Sequence, residues 1–338
     1  MKEKLLSALK YLLFIGMGVG LLYLAFRNQN MAKLMTDIRN AKLSWILLAS
    51  VFGTLAHLSR AVRWKMLIDP LGYNPALKNT IYGVMIGYVV NYALPRVGEV
   101  TRCAIVNRTE KIPIDKLVGT VLTERIFDMF TFLLIVIGTF IYQYDILYGF
   151  FVNEMYPLMG LTPEKVNMFL LFAGFVAFGG LIFLLFIRKK IMHSVWYLKV
   201  ANLLKGFMSG LKSITQLKSP GWFIFHTLFI WAMYFMMTFL CFFAIEATSD
   251  LGFDAGLTIL VVGGLAVIIP APGGLGSFHI LIPLGLLLYG INKDDGLVFA
   301  TIAHASQMLL IFLLGGISMI FFQLFIIASR KKKPGTNE

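Results

Sequence analysis

Three short stretches carry the side chains in this chain that could do chemistry. In PRVGEVTRCAIVNR (95–108), Arg96, Glu99 and Arg102 recur at i, i+3 and i+6 after a proline. A helix there would place them on one stripe with Arg–Glu–Arg pairing. A guanidinium donates through a planar fork that fits phosphate in bidentate fashion. The stripe therefore reads as a seat for an anionic group, with Glu99 holding the arginines in place; a solvated loop is the alternative. In LTERIFDMF (122–130), Glu124 and Asp128 share a face at i, i+4, and Arg125 can reach Asp128 at i+3. They lie one or two turns inside a hydrophobic span, where ionisable groups generally face a bundle interior and mark a functional path. Snorkelling to the cytoplasmic surface is the competing explanation.

The third stretch, VIIPAPGGLGSFH (267–279), sets Pro272, Gly273, Gly274 and Gly276 inside one of the most apolar parts of the chain. Irregular backbone is tolerated at membrane depth only where protein buries it or a wet cavity receives it. Ser277 stands where it could cap the limb that follows, whose N-terminus would attract an anion, and His279 comes two residues later. Two weaker groups join these. HLSRAVRWKML places His57, Arg60 and Arg63 at i, i+3 and i+6; Arg63 and Lys65 are accounted for as basic flanks of a span, whereas Arg60 lies deeper. ATIAHASQML puts His304 and Gln307 on one helix face, where a lone histidine is more often a structural hydrogen-bonding group than a proton carrier. No catalytic motif is evident. GGLGS lacks the strand and serine position of a nucleophile elbow, PAPGGLG lacks the Lys-Ser/Thr of a P-loop, and the histidines lack zinc-ligand spacing.

The elements that must position these residues are helices in a membrane. Of 338 residues 58% are hydrophobic and 14% charged, against about a quarter charged in soluble domains. Several stretches reach the roughly 20 apolar residues that cross a hydrocarbon core. The formal charge of +13 sits in loops beside these spans, so positive-inside bias and anionic headgroups explain it, and nucleic acid does not. Cys103 and Cys241 match no metal or redox spacing. The N-terminal MKEKLLSALKYLLFIGMGVGLLYLAF resembles a signal peptide without a convincing cleavage site and is read as a retained first span.

Full spans are expected at about 8–26, 44–67, 117–142, 167–187, 221–246 and 297–329, with broken apolar segments at about 77–113 and 256–290. Residues 188–218 carry Arg188, Lys189, Lys190, Lys199, Lys205, Lys212 and Lys218 and no acid, and the tail carries Arg330 to Lys333. The loop 143–166 has Asp145, Glu154 and Glu164 against Lys165, and 247–255 has Asp250 and Asp254. The basic segments are therefore assigned to the cytoplasm, with both termini, and the acidic loops to the outside. Residues 27–43 go against this rule, and their spacing suggests an amphipathic helix on the outer leaflet. A second, basic amphipathic helix is expected on the inner leaflet over 191–219.

Parity then requires 77–113 to enter and leave on one side. The limbs 256–269 and 277–290 are about 21 Å each as helix, which fits a re-entrant hairpin turning at PAPGGLG, with two tilted crossings as the alternative. The expected fold is thus an all-α integral membrane protein, a single membrane domain over 1–338. It has about six full transmembrane helices plus two re-entrant broken-helix hairpins in an inverted-topology repeat: a first repeat 1–142, an outer acidic loop 143–166, a second repeat 167–329 and a basic cytoplasmic tail 330–338. Such repeats place a substrate site where the broken helices meet near the midplane.

With LPRVGEVTR, TERIFD and PAPGGLGSF in this order, the chain resembles the transmembrane region of lysylphosphatidylglycerol synthases and related flippase-like integral membrane proteins over nearly its whole length. Arg96, Gly98, Glu99 and Arg102 match the family pattern P-x-x-G-E-x-x-R. Glu124, Arg125 and Asp128 match E-R-x-x-D, and Pro272, Gly273, Gly274 and Gly276 match P-G-G-x-G. The resemblance implies a multi-pass protein of a prokaryotic cytoplasmic membrane, several of whose relatives move aminoacylated phospholipid between leaflets. Many relatives carry a glutamate just after P-G-G-x-G, where this chain has Phe278 and His279. The aminoacyl-transferase domain of the synthases has no counterpart here, so no synthase step is expected.

These observations point to a lipid flippase or transporter for an anionic or aminoacylated phospholipid or a polyprenyl-phosphate lipid, not an enzyme, with no cofactor, metal or nucleic acid. The expected partners are the phospholipid itself and the anionic lipid surface at 188–218 and 330–333; a homodimer is compatible with the sequence. Two other readings stay open: an accessory protein or membrane enzyme of lipid or cell-envelope synthesis, and a small-solute secondary transporter.

Overall fold

A computed structural model of the protein describes residues 16–27, 29–150, 168, 217–269 and 271–331. The expected span 167–187, most of the acidic loop 143–166, the inner amphipathic stretch up to 216 and the tail beyond 331 lie outside these residues. Two compact units divide the chain: residues 1–136 with 215–338, and residues 137–214.

The larger unit is built from helices α1 (Gly16–Phe26), α2 (Met31–Asn40), α3 (Leu43–Ile68), α4 (Leu77–Ala93), α5 (Val97–Glu110) and α6 (Ile114–Tyr142, whose end passes into the second unit). The second unit adds α7 (Tyr144–Phe150), where Tyr144 and Tyr148 stack at 5.7 Å one turn apart. The larger unit resumes with α8 (Pro220–Phe242), α9 (Phe253–Ile268), α10 (Ser277–Leu287) and α11 (Lys293–Lys331). The described residues are helices and turns, without strands.

Four helices among the described residues are long and apolar enough to cross a membrane: α3, α6, α8 and α11. They coincide with four of the six expected spans. Their outward sides are apolar, with Leu133, Trp222, Leu228, Leu309 and Ile320 all more than half exposed. Exposed apolar surface of this extent is a liability in water and a requirement in lipid. The protein is an all-α, multi-pass membrane protein.

The two broken segments fold as helix pairs whose limbs, 17 and 14 residues in α4–α5 and 16 and 11 in α9–α10, fall short of a full span. Proline sets both breaks. Leu94 precedes Pro95 and leaves α4 with extended backbone (φ −135°, ψ 97°), and Ile269 precedes Pro270 and leaves α9 in the same way (φ −63°, ψ 127°), since the ring of a proline disfavours helix in the residue before it. α5 ends at Lys111, whose left-handed backbone (φ 60°) lets its N–H close on Asn107 O, an αL-type stop. α2 begins at Asn30, whose side chain accepts from the N–H groups of Ala32 and Lys33 at 3.1 Å. Lys33 then pairs with Asp295 at 3.4 Å, so α2 is tied to the start of α11.

Association of helices in lipid rests on close packing and interhelical polar contacts rather than on water expulsion. α4 and α5 meet at glycines. A β-carbon on Gly87 would stand 2.8 Å from the carbonyl oxygen of Gly98, and one on Gly98 would overlap the carbonyl of Gly87. Asn91 Oδ1 accepts from the Gly98 N–H at 2.7 Å across the same seam. Gly98→Ala is expected to force the two helices apart and cost about 1–3 kcal/mol, seen as a lowered unfolding temperature of the purified protein in detergent.

Candidate functional site

A cluster of seven charged side chains, four guanidinium groups and three carboxylates, lies where α3, α5 and α6 meet. Arg60 and Arg63 project from α3, Glu99 and Arg102 from α5, and Glu124, Arg125 and Asp128 from α6. The helical periods foreseen in the sequence bring each set to one face; tertiary packing brings the three faces together. Arg60 Nη1 donates to Glu124 Oε1 at 2.9 Å and to Asp128 Oδ2 at 2.7 Å. Arg63 Nη2 donates to Asp128 Oδ1 at 2.6 Å and to Glu124 Oε1 at 3.3 Å, while its Nη1 reaches Thr227 Oγ1 of α8 at 3.2 Å. Arg102 Nη2 donates to Glu124 Oε2 at 2.7 Å. Glu99 bridges outward, with Arg102 Nε 3.2 Å from one oxygen and Arg125 hydrogen-bonded to the other. Arg125 lies 3.8 Å from Asp128, the i+3 approach the spacing anticipates.

Glu124 and Arg63 are fully buried, and Arg60, Arg102 and Asp128 nearly so. Charges this deep must be paired, because an unpaired one loses its hydration without return. Here the pairing is incomplete. Four positive groups face three negative ones, and the Nε atoms of Arg60, Arg63 and Arg102 are buried without a hydrogen-bond partner. The cluster retains one net positive charge and three Nε–H groups without a hydrogen bond, that of Arg102 lying near Glu99 but out of line with it. Aromatic faces support the arginines: Trp64 lies 4.6 Å from the Arg102 guanidinium carbon and donates its own N–H to Thr120 at 2.9 Å, and Phe223 lies 5.7 Å from that of Arg63. A seam too tight to hold a water molecule, lined by Gly87, Tyr88, Asn91, Glu99, Arg102 and Arg125, runs beside the cluster, and Arg125 is 42% exposed.

Arg63 differs most from its expected place. The reading as a cytoplasmic flank is overturned, since the side chain is wholly inside and holds Asp128 and Glu124. Its signal was the i+3 spacing from Arg60. Arg96 departs the other way. It precedes α5 with left-handed backbone (φ 70°), is exposed, and has no ion-pair partner among the described residues, so the stripe contains only Glu99 and Arg102. His57 packs on Tyr88 at 5.1 Å and lies one turn before Arg60. Two polar groups of α8 escaped the sequence reading: Thr227, and His226, which lies 2.8 Å from Ser59 Oγ.

The glycine stretch forms a compact turn. Gly273, Gly274 and Gly276 all have positive φ (58°, 77° and 81°), conformations that glycine adopts without steric cost. Pro272 is buried against α1, near Gly18. Tyr92 at the end of α4 covers Gly273 so closely that a β-carbon there would enter its ring, and Leu21 and Leu22 of α1 cover Gly276 in the same way. His304 Nε2 lies 2.8 Å from the Gly273 carbonyl oxygen, and His279 stands 5.1 Å from His304. Gln307 is half-buried on the same helix. Ser277 does not cap α10. Its hydroxyl lies 2.8 Å from Ala266 O and 3.1 Å from Gly274 O, tying the turn to α9. The two breaks thus approach each other through Tyr92 and Gly273, three residues before Pro95.

A family model described as the lysylphosphatidylglycerol synthase TM region matches residues 7–315. Among curated proteins the chain is similar to the UPF0104 membrane protein MJ1595 of Methanocaldococcus jannaschii, 31% identical over 115 residues. That match covers 32% of this chain and 34% of the relative. No solved structure matches. The matched span takes in the charge cluster, both helix breaks, the long apolar helices α3, α6 and α8 and the first part of α11, and the chain belongs to the family of the lysylphosphatidylglycerol synthase TM region.

Proposed function

We propose that this protein moves a lipid with an anionic or aminoacylated headgroup, a phospholipid or a polyprenyl phosphate, between membrane leaflets. The observation that carries the proposal is the buried cluster with one guanidinium more than it has carboxylates and three unmet Nε donors. Glu124 and Asp128 fill the forks of Arg60, Arg63 and Arg102, so a phosphate would bind by displacing a carboxylate. Arg96 and Arg125, both solvent-accessible, offer the first contacts, and the tight seam beside Glu99 would have to widen to admit a headgroup. The short limbs of α4–α5 and α9–α10 support reading the two breaks as re-entrant hairpins of an inverted repeat over 1–142 and 167–329. Their tips would form the path past Tyr92, Pro272, Gly273, Gly274 and Gly276. We place the protein in a prokaryotic cytoplasmic membrane with both termini inside, the basic stretches 188–218 and 330–333 resting on anionic lipid. Translocation needs no bond-making chemistry from the protein.

The binding half of this reading can be tested alone. Ligands that bind the native state raise its apparent stability. Short-chain phosphatidylglycerol should raise the unfolding temperature of the detergent-solubilised protein more than short-chain phosphatidylcholine does. Arg102→Gln should weaken that effect about ten- to a hundredfold in lipid concentration, the loss of one charge-assisted contact of roughly 1.5–3 kcal/mol. Equal stabilisation by both lipids would count against an anion seat.

A further inference from the structure

The charge cluster leaves unused two buried histidines at the other break. His304 of α11 and His279 of α10 face each other edge-on, ring centres 5.1 Å apart and planes at 77°. His304 approaches a carbonyl oxygen, that of Gly273, so Nε2 must carry the proton and donate it. That leaves Nδ1 of His304 as the free lone pair. Nδ1 of His279 is buried with no hydrogen-bond partner, a position that suits a lone pair and not an N–H.

Among the described residues the surroundings supply no counter-charge. Phe26 of α1 and Phe278 of α10 pack against the two rings, at 5.6 Å from His279 and 5.2 Å from His304. α9 brings Gly263 against Phe278, and α4 brings Tyr92 against Gly273. On α11 the polar residues one turn from His304 are Thr301 and Gln307, both uncharged. The charged groups nearest in sequence on the packed helices are Arg27, just past Phe26, and Asp295, which is paired with Lys33. The titratable group acting on His279 is His304 itself.

We propose that His279 and His304 form a single-proton site that controls the clasp on the glycine turn. Two imidazolium groups at this separation in an apolar pocket repel strongly, so the pair takes one proton from water at a time. That proton turns a lone pair into an N–H that has no bonded acceptor in the present packing. The new donor is satisfied only if the Gly273–Gly274 carbonyls or water move to meet it, which loosens the turn. Tyr92, against the turn, lies one helical turn from Tyr88, which packs on His57 beside Arg60, so a shift of the turn is passed to the charge cluster by direct contact. With the protein acting as a lipid transporter, the pair would couple translocation to proton binding; this consequence rests on that reading, whereas the clasp does not.

The test uses the full chain with Leu275→Cys, and with Cys103 and Cys241 changed to alanine, reconstituted in phosphatidylglycerol/phosphatidylethanolamine vesicles. Maleimide labelling of position 275 is expressed relative to a free thiol at the same pH, and lipid translocation is measured on the same vesicles. Labelling should rise at least about fivefold between pH 7 and pH 4, below the ordinary imidazole range because an apolar pocket disfavours the imidazolium, and become pH-independent in His279→Gln and in His304→Gln. Should His304→Gln fail to fold through loss of the clasp, His279→Gln decides alone, because it makes no bond to the turn. Labelling that does not vary with pH, or that varies equally in His279→Gln, overturns the proposal. Labelling with the expected pH dependence, on vesicles that move no lipid, supports the proton site and removes the transport reading instead.

Discussion

Glu124→Gln should leave very little folded protein. Glu124 is fully buried and accepts hydrogen bonds from Arg60, Arg63 and Arg102, which come from two other helices. Removing its charge takes the cluster from one excess positive charge to two, in a place without water to screen them. Breaking one partner out of a buried ion pair costs about 3–5 kcal/mol, comparable to much of the stability of a whole domain. The measurement is the monodisperse fraction recovered after graded heating in detergent. The double variant Arg63→Gln/Glu124→Gln should be more stable than Glu124→Gln alone, since it restores the charge balance; a double-mutant cycle reads that coupling directly. Arg125→Gln, on a side chain 42% exposed, should cost less than about 1 kcal/mol.

The second large effect is expected at the glycine turn, where the three positive-φ glycines should not be equivalent. Alanine at any of them takes on backbone strain of about 1–3 kcal/mol. At Gly274 that is the main cost, since an added β-carbon meets nothing closer than 3.7 Å. At Gly276 the β-carbon would also press on the backbone of α1 at Leu21 and Leu22, and backbone cannot step aside as the tip of a side chain can. Gly276→Ala should therefore lower the unfolding temperature well beyond Gly274→Ala. Gly273→Ala should fall between them, because the Tyr92 ring it meets can rotate. Equal effects at 274 and 276 would mean that α1 does not cover the turn.

The sequence made the helices and their chemistry legible where a single period decides. Glu124 and Asp128 on one face, Arg125 within reach of Asp128, and Glu99 beside Arg102 all follow from i+3 and i+4 spacing, and proline marks both breaks. Contacts between helices were not legible in this way. In HLSRAVRWKML the i+3 spacing from Arg60 puts Arg63 on the same face but does not reveal Asp128 as its partner, and a rule about basic flanks pointed the other way. The rule is statistical, whereas the three carboxylates that need a counter-charge are specific, and they prevail. Arg96 was misplaced on the stripe because a left-handed residue interrupts the period just before α5. Ser277 bonds to carbonyls instead of capping, since the turn's own orphan oxygens compete for its hydroxyl. Thr227 and His226 carried no signal at all, being polar residues whose partners lie more than 160 positions away.

The central claim, that the arginine cluster handles a lipid headgroup on its way across the membrane, is tested most directly by translocation in reconstituted vesicles. Fluorescent phosphatidylglycerol in the inner leaflet is inaccessible to an impermeant quencher until it crosses. Vesicles holding the wild-type protein should expose it faster than protein-free vesicles. Arg125→Gln, which keeps the fold, should slow that exposure about tenfold, the effect of one charge-assisted contact. Wild-type vesicles no faster than empty ones, or an Arg125→Gln protein as fast as wild type, would contradict the account.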